Sequence, residues 1–370
     1  MPDAPPNLSP VLTLPQPLPL DCGQALEGVR IAYETYGALN AARDNAVLVC
    51  HATTGDQYLA STHPITGKPG WWSRVVGPGK TIDTDRFHVI CANVLGSCMG
   101  TTGPASEAPD GQPWAVRFPG ITVRDMVRGH LALLDQLGIG QLHAVVGGSM
   151  GGMQALSLAA NWPERAARVM VIAATAAMPA QNIAFQEVGR QAIMADPDWQ
   201  HGAYYGTGRS PDAGLSVARM TAHITYLSEA SMHEKFGRRL QDRDTKSFGF
   251  DADYQVESYL RHQGATFTGR FDANAYLYLT KAMSYFDLAE EHGGKLARAF
   301  DAAGRSGARF CLVSFDSDWL YPTVESRRIA HALNAAGAAV SFVELSAPYG
   351  HDSFLLDVPA LDRVIAGFLG

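Results

Sequence analysis

The segment Gly147-Gly148-Ser149-Met150-Gly151 places one serine among glycines, at the boundary between two different patterns. Residues 142–148 (LHAVVGG) form a short apolar run typical of a buried strand, and residues 150–163 (MGGMQALSLAANWP) have the pattern of a helix. A G-x-S-x-G turn between a strand and a helix is the nucleophile elbow, in which small neighbours allow the serine a strained backbone. The alternative is a glycine-rich packing turn with an idle serine. The strand–turn–helix context favours Ser149 as a nucleophile.

Further apolar runs alternate with helical patterns in the first half of the chain and again near its end. Buried strands are predicted at 45–51 (NAVLVCH), 87–95 (FHVICANVL), 168–174 (RVMVIAA), 308–315 (ARFCLVSF) and 339–345 (AVSFVEL). Helices are predicted at 122–138, at 323–337 and at the C-terminus. Continuous buried strands that alternate with helices predict an α/β fold, with a mostly parallel central sheet and helices on both faces.

This alternation stops between residues 178 and 292. The stretch has helical patterns, such as 214–236 and 272–292, and no apolar run that predicts a buried strand. We therefore predict that residues 1–177 form the first part of an α/β core, with a proline-rich segment at 1–20. Residues 178–292 are predicted to form an inserted helical cap, and residues 293–370 the second part of the core.

Charge and cysteine content narrow the possible partners and location. The net charge of −7 argues against a surface for nucleic acid or for an anionic membrane, and the N-terminus has the pattern of neither a signal peptide nor a membrane helix. The cysteines are an odd, scattered set without CxxC or zinc-site spacing, which predicts free thiols, no metal and a cytoplasmic location. Three of them lie in apolar runs and are predicted to be buried: Cys50, Cys91 and Cys311.

A serine nucleophile needs a base, and the base needs an orienting carboxylate. In folds that carry the elbow, these groups follow in the order serine, acid, histidine, each after a late strand. Asp316 and Asp318 follow the strand predicted at 308–315, and His351 follows the strand predicted at 339–345. We therefore predict His351 as the base, while spacing alone leaves Asp316 and Asp318 as alternatives.

Two backbone N–H groups are candidates for holding an oxyanion. The N–H of Met150 lies at the N-terminus of the predicted helix, where partial positive charge favours an anion. The loop within VCHATTGD (49–56) follows a buried strand, at the place where elbow-bearing enzymes take their second N–H. An ordinary threonine and glycine turn is the alternative for this loop.

Five segments together resemble one known family: GGSMGGMQAL, CHATTGD, ANVLGSCMGTTGP, RFPGITVRDMV and YGHDSF. They resemble the homoserine O-acyltransferases of methionine biosynthesis, from about Leu26 to the C-terminus. The resemblance implies an α/β-hydrolase fold with a helical cap and a homodimer joined through the caps. It implies acyl transfer from acyl-CoA, a co-substrate, to the hydroxyl of L-homoserine, with no further cofactor.

The resemblance also assigns roles to particular residues. It implies Ser149 as nucleophile and His351 as base, and the family pattern S-D-x-L-x-P selects Asp318 as the orienting residue. It implies that the N–H groups of Thr53 and Met150 form the oxyanion hole.

For the substrates, the resemblance implies that Arg219 binds the homoserine carboxylate and Asp352 its ammonium group, a chemically reasonable pairing. Succinyl-using members tend to carry an arginine at the position of Leu320, so the apolar residue here favours acetyl-CoA; alternatively, Leu320 only packs in the core. Succinyl-CoA as donor and L-serine as acceptor remain alternatives. So do an esterase or thioesterase with the same triad, and a binding module without catalysis.

Overall fold

The computed structural model describes residues 9–370, so residues 1–8 of the proline-rich segment lie outside the described part of the chain. The rest of that segment contributes to regular structure. Val11–Thr13 forms a strand, and Leu18–Pro19 pairs antiparallel with Ala25–Leu26.

An eight-stranded sheet forms the centre of the protein. Its strands are β1 (Val11–Thr13), β2 (Arg30–Tyr36), β3 (Ala46–Cys50), β4 (His88–Ala92), β5 (Ala144–Gly148), β6 (Arg168–Ile172), β7 (Arg309–Phe315) and β8 (Ala339–Leu345). Their order across the sheet is β1, β2, β4, β3, β5, β6, β7, β8. β2 runs antiparallel to β1 and β4, and all other neighbours in this sheet are parallel. The prediction of a mostly parallel sheet is confirmed.

Sequence analysis did not predict β1 and β2. Every residue of β3 and β5 is buried, which gives the continuous apolar run that identifies a central parallel strand. β2 instead mixes buried, half-buried and exposed residues, because it lies near the edge of the sheet. β1 is only three residues long and stands among prolines, so it has almost no pattern to detect.

Helices and short 3₁₀ turns connect the strands. In residues 9–370 the helices are α1 (Val123–Gln136), α2 (Met150–Asn161), α3 (Ala180–Ala195), α4 (Asp212–Tyr226), α5 (Glu229–Lys235), α6 (Gln255–Thr268), α7 (Ala273–Ser284), α8 (Leu288–Glu291), α9 (Leu296–Ala299), α10 (Asp301–Ser306), α11 (Thr323–Ala335) and α12 (Pro359–Leu369). The 3₁₀ turns are Ala115–Arg117, Pro163–Arg165, Pro197–Gly202 and Gly350–Phe354.

Both faces of the sheet are covered, as predicted, but unequally. Alternate residues of β3 face opposite sides of the sheet: Leu48 belongs to the hydrophobic cluster that includes residues of α1, α2 and α11, whereas Val47 and Val49 belong to the cluster that includes residues of α12. On the α12 side, the long segment between β3 and β4 completes the cover with Leu59 and Trp72.

Helices α3–α10 lie between β6 and β7, and no strand of three or more residues lies among them in the described chain. α4 packs between α3 and α6, and α3 also contacts α7. The helical pattern at 214–236 is divided between α4 and α5, where the Ser228 hydroxyl accepts the N–H of Ser231 and begins the new helix. We keep the name cap for residues 178–292; these boundaries stay a prediction.

Cys50, Cys91 and Cys311 are buried, as predicted, and the five cysteines are all free thiols. Within residues 9–370, none of the helices combines the length and the apolar character needed to cross a membrane.

The parallel strands β3, β5, β7 and β8 end at the same edge of the sheet. Every residue predicted for catalysis follows the C-terminal end of one of these strands. Loops at that edge therefore bring together residues that are far apart in the sequence.

Candidate active site

Ser149 lies between the last residue of β5 and the first residue of α2. Its backbone has φ 58° and ψ −126°, a left-handed conformation that a residue with a side chain adopts only at a cost. The N–H of Ser149 donates to the carbonyl of Ile172 at 3.0 Å, which ties the turn to β6. The strained turn expected of a nucleophile elbow is therefore present at this serine.

The glycines of the elbow allow backbones to approach more closely than side chains would permit. A Cβ at Gly147 would lie 2.1 Å from the carbonyl oxygen of Gly151, and one at Gly151 would lie 2.1 Å from that of Cys50. Both distances are far below van der Waals contact. The first turn of α2 therefore packs directly against the end of β3, next to the loop that carries Thr53.

Asp318 and His351 are hydrogen-bonded, with Nδ1 of the histidine 2.8 Å from Oδ2 of the aspartate. The other carboxylate oxygen of Asp318 accepts the N–H groups of Leu320 and Tyr321 at 2.9 and 3.0 Å. Asp318 and His351 are each only 3% exposed. Asp316 points elsewhere and accepts the N–H of Ala347 at 3.2 Å. Of the two candidate aspartates, Asp318 is thus the one placed to orient the histidine.

Aromatic rings surround His351 and connect it to the elbow. The ring centroids of Tyr226, Tyr321 and Phe354 lie 6.1, 5.3 and 5.5 Å from that of His351. The Phe354 ring also packs on Gly148, where a Cβ would come within 2.6 Å of it. In the described chain the Ser149 hydroxyl makes no hydrogen bond to His351; such bonds are often long in unliganded enzymes and tighten when substrate binds.

The loop after β3 forms a turn, in which the N–H of Gly55 donates to the carbonyl of Ala52 at 2.9 Å. That carbonyl belongs to the same peptide unit as the N–H of Thr53. Whatever fixes the Ala52 carbonyl therefore also fixes the direction of the Thr53 N–H.

His51 holds this peptide unit from the core side. Its Nε2 accepts the N–H of Val94 at 3.1 Å, so the ring proton must be on Nδ1, which donates to the Ala52 carbonyl at 2.7 Å. The side chain is fully buried, and burial lowers the pKa of His51, which favours the neutral ring that these two hydrogen bonds require. Sequence analysis did not identify this role, and only its position directly after β3 hinted at it.

The N–H groups of Thr53 and Met150 donate to no acceptor within residues 9–370. Met150 is the first residue of α2, where a helix leaves its N–H groups unpaired. Thr53 and Ser149 line the same cavity. The two N–H groups are thus free donors near Ser149, an arrangement that could form an oxyanion hole.

Two cavities meet at the turn. The first, of about 60 Å³, is lined by Ser149, Thr53 and Leu320 together with cap residues, and its lining contains no charged side chain. The second, of about 300 Å³, is lined by Thr54, by three cationic residues, Lys68, Arg219 and Arg270, and by the carboxylate of Asp56. Thr53 therefore lines a cavity without charged side chains, and Thr54 lines a second cavity in which cationic side chains outnumber carboxylates.

Arg219 of α4 is half-buried and makes no salt bridge in the described chain. Its guanidinium lies over the Phe267 ring, 4.6 Å from the centroid, and Nη1 donates to the Thr54 hydroxyl at 3.1 Å. Most of its N–H donors remain available for an anion.

Asp352 is half-buried next to His351. Burial raises the pKa of Asp352 to about 6, and the charge of Asp318 acts in the same direction; the positive charges of His351, Arg219 and Lys235 oppose the rise. A carboxylate in this position would bind a cationic group of a substrate. No three His, Cys, Asp or Glu side chains within residues 9–370 form a group that could hold a metal ion.

Comparison with known proteins places this chain in a family. A family model described as the alpha/beta hydrolase fold matches residues 45–358. A homoserine O-acetyltransferase of Zymomonas mobilis is 65% identical over 359 residues, which cover 97% of this chain and 95% of the relative. One from Mesorhizobium japonicum is 61% identical over 365 residues, covering 98% and 93%. The chain belongs to the homoserine O-acetyltransferase family.

Membership of the homoserine O-acetyltransferase family confirms the resemblance inferred from the five motifs, and the alpha/beta hydrolase match confirms the predicted fold class. Solved structures share that fold across different activities. A homoserine O-acetyltransferase from Bacillus anthracis superimposes with a TM-score of 0.89 at 26% identity, covering 98% of this chain and 97% of that one. Esterase E22 superimposes with a TM-score of 0.86 at 28% identity, covering 98% and 99%. Fold alone therefore does not separate transferase from esterase.

Proposed function

We propose that this protein transfers the acetyl group of acetyl-CoA to the side-chain hydroxyl of L-homoserine, a step of methionine biosynthesis, through an acyl-Ser149 intermediate. The observation that carries the proposal is its near-full-length similarity to proteins named homoserine O-acetyltransferase. Because the triad can catalyse both acyl transfers, we expect no cofactor beyond the co-substrate acyl-CoA.

In the first half-reaction, His351 removes the proton of the Ser149 hydroxyl while the serine oxygen attacks the thioester carbonyl. The carbonyl oxygen becomes an oxyanion, which accepts hydrogen bonds from the N–H groups of Thr53 and Met150. The carbon–sulfur bond then breaks, and CoA leaves with the proton from His351. Throughout, Asp318 accepts a hydrogen bond from the Nδ1–H of His351 and stabilises the imidazolium without taking its proton.

In the second half-reaction, the homoserine hydroxyl gives its proton to His351 and attacks the acyl-serine. The same two N–H groups bind the second oxyanion, and the Ser149 oxygen leaves with the proton. Water would compete with homoserine for the acyl-enzyme, and the cap that covers the site restricts its access.

The acceptor site of the proposal uses the two charged residues beside the triad. Arg219 has free N–H donors for a carboxylate, and Asp352 offers a carboxylate for an ammonium group. Homoserine carries both of these groups. L-serine also carries both groups, so discrimination between serine and homoserine depends on the length of the side chain.

Acetyl-CoA is the proposed donor because of the cavity beside Ser149. A volume of about 60 Å³ accommodates only a few water-sized groups, which suits a short acyl chain. Its lining has no lysine or arginine, and a succinyl carboxylate buried there without a cation would cost several kcal/mol. Leu320 lines this cavity, at the position where succinyl-using members of the family tend to carry an arginine. That arginine could supply the cation.

We also propose a homodimer joined through the caps, in the cytoplasm. Exposed apolar side chains on the cap helices support the dimer: Val188 on α3 is 53% exposed, and Val217 and Ile224 on α4 are 46% and 42% exposed. Light scattering after size-exclusion chromatography tests it: the mass should be that of a dimer, and charged residues at these positions should give a monomer. The free cysteines suit the reducing cytoplasm.

The test is a grid of acetyl-CoA or succinyl-CoA with L-homoserine, L-serine or no amino acid, with products identified by mass spectrometry. We expect O-acetylhomoserine as the main product, and an acetyl group on the peptide that contains Ser149 when no acceptor is present. Ser149→Ala should abolish both. Ser157→Ala, which removes another buried hydroxyl from α2, is the matched control and should retain activity.

Rapid release of free acetate with no preference for homoserine would instead identify an esterase or thioesterase. Succinylhomoserine or O-acetylserine as the main product would replace the donor or the acceptor of the proposal.

A further inference from the structure

Three side-chain contacts join the cap to the turn after β3. The Thr53 hydroxyl donates to Sδ of Met283 in α7 at 3.0 Å, and Arg219 of α4 donates to the Thr54 hydroxyl. Arg270, just beyond the end of α6, donates from Nη1 to the Thr54 carbonyl oxygen at 3.1 Å. Of the three, only the Arg270 contact holds the backbone of the turn.

The surroundings of Arg270 make it costly to bury the guanidinium group there. The side chain is half-buried, its guanidinium lies 5.1 Å from the Phe267 ring centroid, and it has no salt bridge in the described chain. Burial lowers the pKa of Arg270 and the nearby charge of Arg219 lowers it further, while the charge of Asp56 opposes this. A half-buried guanidinium beside a second one is unfavourable unless its N–H groups are used.

We propose that Arg270 is a positioning residue on the cap that holds the oxyanion turn in place. The oxyanion turn is the loop of residues 52–55, which carries the Thr53 N–H. His51 holds the Ala52 carbonyl from the core, and Arg270 holds the Thr54 carbonyl two peptide units along. The N–H of Thr53 belongs to the peptide unit that His51 anchors, and Arg270 anchors the other end of the same turn, so both ends of the turn are immobilised. This inference rests on the proposed role of the Thr53 N–H in the oxyanion hole.

A different role for Arg270 would be binding of the acceptor, because it lines the same cavity as Arg219. The two roles predict effects on different half-reactions. The oxyanion turn acts whenever Ser149 attacks the thioester, because the Thr53 N–H then binds the oxyanion, even with no homoserine present. An acceptor ligand is needed only in the second half-reaction.

The test measures CoA release by stopped flow, with acetyl-CoA and no homoserine, for the unchanged enzyme, Arg270→Ala and Arg270→Lys. Removing one oxyanion donor outright typically costs about 100-fold to 1,000-fold in rate. Misplacing the Thr53 donor should cost less, and we expect Arg270→Ala to acylate about 10-fold to 100-fold more slowly, with the acetyl-CoA KM changed by less than about 3-fold. Arg270→Lys should recover part of the rate, since an ammonium group can donate to the same carbonyl.

Arg261→Ala is the matched control, because Arg261 lies on α6 and also donates to a loop carbonyl, that of Phe250, at 2.8 Å. It should acylate at the unchanged rate. The inference is overturned if Arg270→Ala acylates normally and only the homoserine KM rises, or if the alanine and lysine variants lose thermal stability and activity equally. If the unchanged enzyme is never acylated, the proposed function itself is wrong. That result can be distinguished from the two outcomes above, which concern only the Arg270 variants.

Discussion

Asparagine in place of Asp318 has a calculable effect, because the surroundings of the carboxylate decide how the new amide must lie. Oδ1 of Asp318 accepts two backbone N–H groups, from Leu320 and Tyr321. An amide NH₂ cannot accept these bonds, and turning it towards them would leave two buried donors unpaired at about 1–3 kcal/mol each. The amide oxygen must therefore take the place of Oδ1, and the NH₂ must face His351.

An NH₂ group that faces Nδ1 of His351 forces that nitrogen to accept a hydrogen bond. The ring proton then moves to Nε2, the nitrogen that must take the proton from Ser149, and the base is lost. In serine enzymes this change of tautomer lowers kcat about 10⁴-fold, which corresponds to about 5.4 kcal/mol in the activation barrier. We expect a loss of that size for Asp318→Asn with little change in folding stability.

The assay is rapid quenching of enzyme with acetyl-CoA, followed by mass spectrometry of the peptide that contains Ser149, with thermal unfolding measured in parallel. Asp316→Asn is the matched control. An asparagine oxygen can still accept the Ala347 N–H, so this variant should stay within about 3-fold of the unchanged rate. The reasoning is refuted if Asp318→Asn acylates within 10-fold of the unchanged enzyme, or if Asp316→Asn is the slower variant.

Four further changes test the remaining features. Arg219→Ala should raise the homoserine KM about 100-fold, because a charge-assisted pair is lost, while CoA release without acceptor stays normal; equal loss in both would contradict acceptor binding. Leu320→Arg should shift the kcat/KM ratio from acetyl-CoA towards succinyl-CoA, and a succinyl preference before mutation would overturn the donor assignment. Because the pKa of Asp352 is about 6, kcat/KM for homoserine, normalised to the acylation rate, should fall about tenfold per pH unit below that value; the dependence should vanish in Asp352→Asn. Gly151→Ala should destabilise the fold by about 1–3 kcal/mol in denaturant unfolding, whereas Gly367→Ala, in open space on α12, should be neutral or stabilising.

The side chains proposed for catalysis could be located in the sequence because the signals for them are local. Ser149 stands in a short motif between two clear patterns, and His351 follows a recognisable strand. Spacing in the sequence could not decide between Asp316 and Asp318, because two neighbouring residues of a loop differ only in the direction of their side chains. The structure separates them by the hydrogen bond from His351 to Asp318.

Contacts between distant parts of the chain could not be predicted in this way. Arg270 and the Thr54 carbonyl are 216 positions apart, and nothing in the residues around Arg270 distinguishes it from a solvated arginine. The tautomer of His51 depends on Val94, which belongs to the loop after a different strand. Such roles arise only when segments that are distant in the sequence are packed together.

The insertion of the cap between β6 and β7 also affects how the chain is made. On the ribosome, β6 emerges before residues 173–308, which take roughly 10 s to synthesise at typical rates, and only then can β7 pair with it. Until that moment the apolar segment Arg168–Ile172 is an unpaired sheet edge, the kind of surface through which nascent chains aggregate. Chaperone capture of ribosome-bound chains should therefore peak while the cap is being translated and fall once β7 has left the exit tunnel.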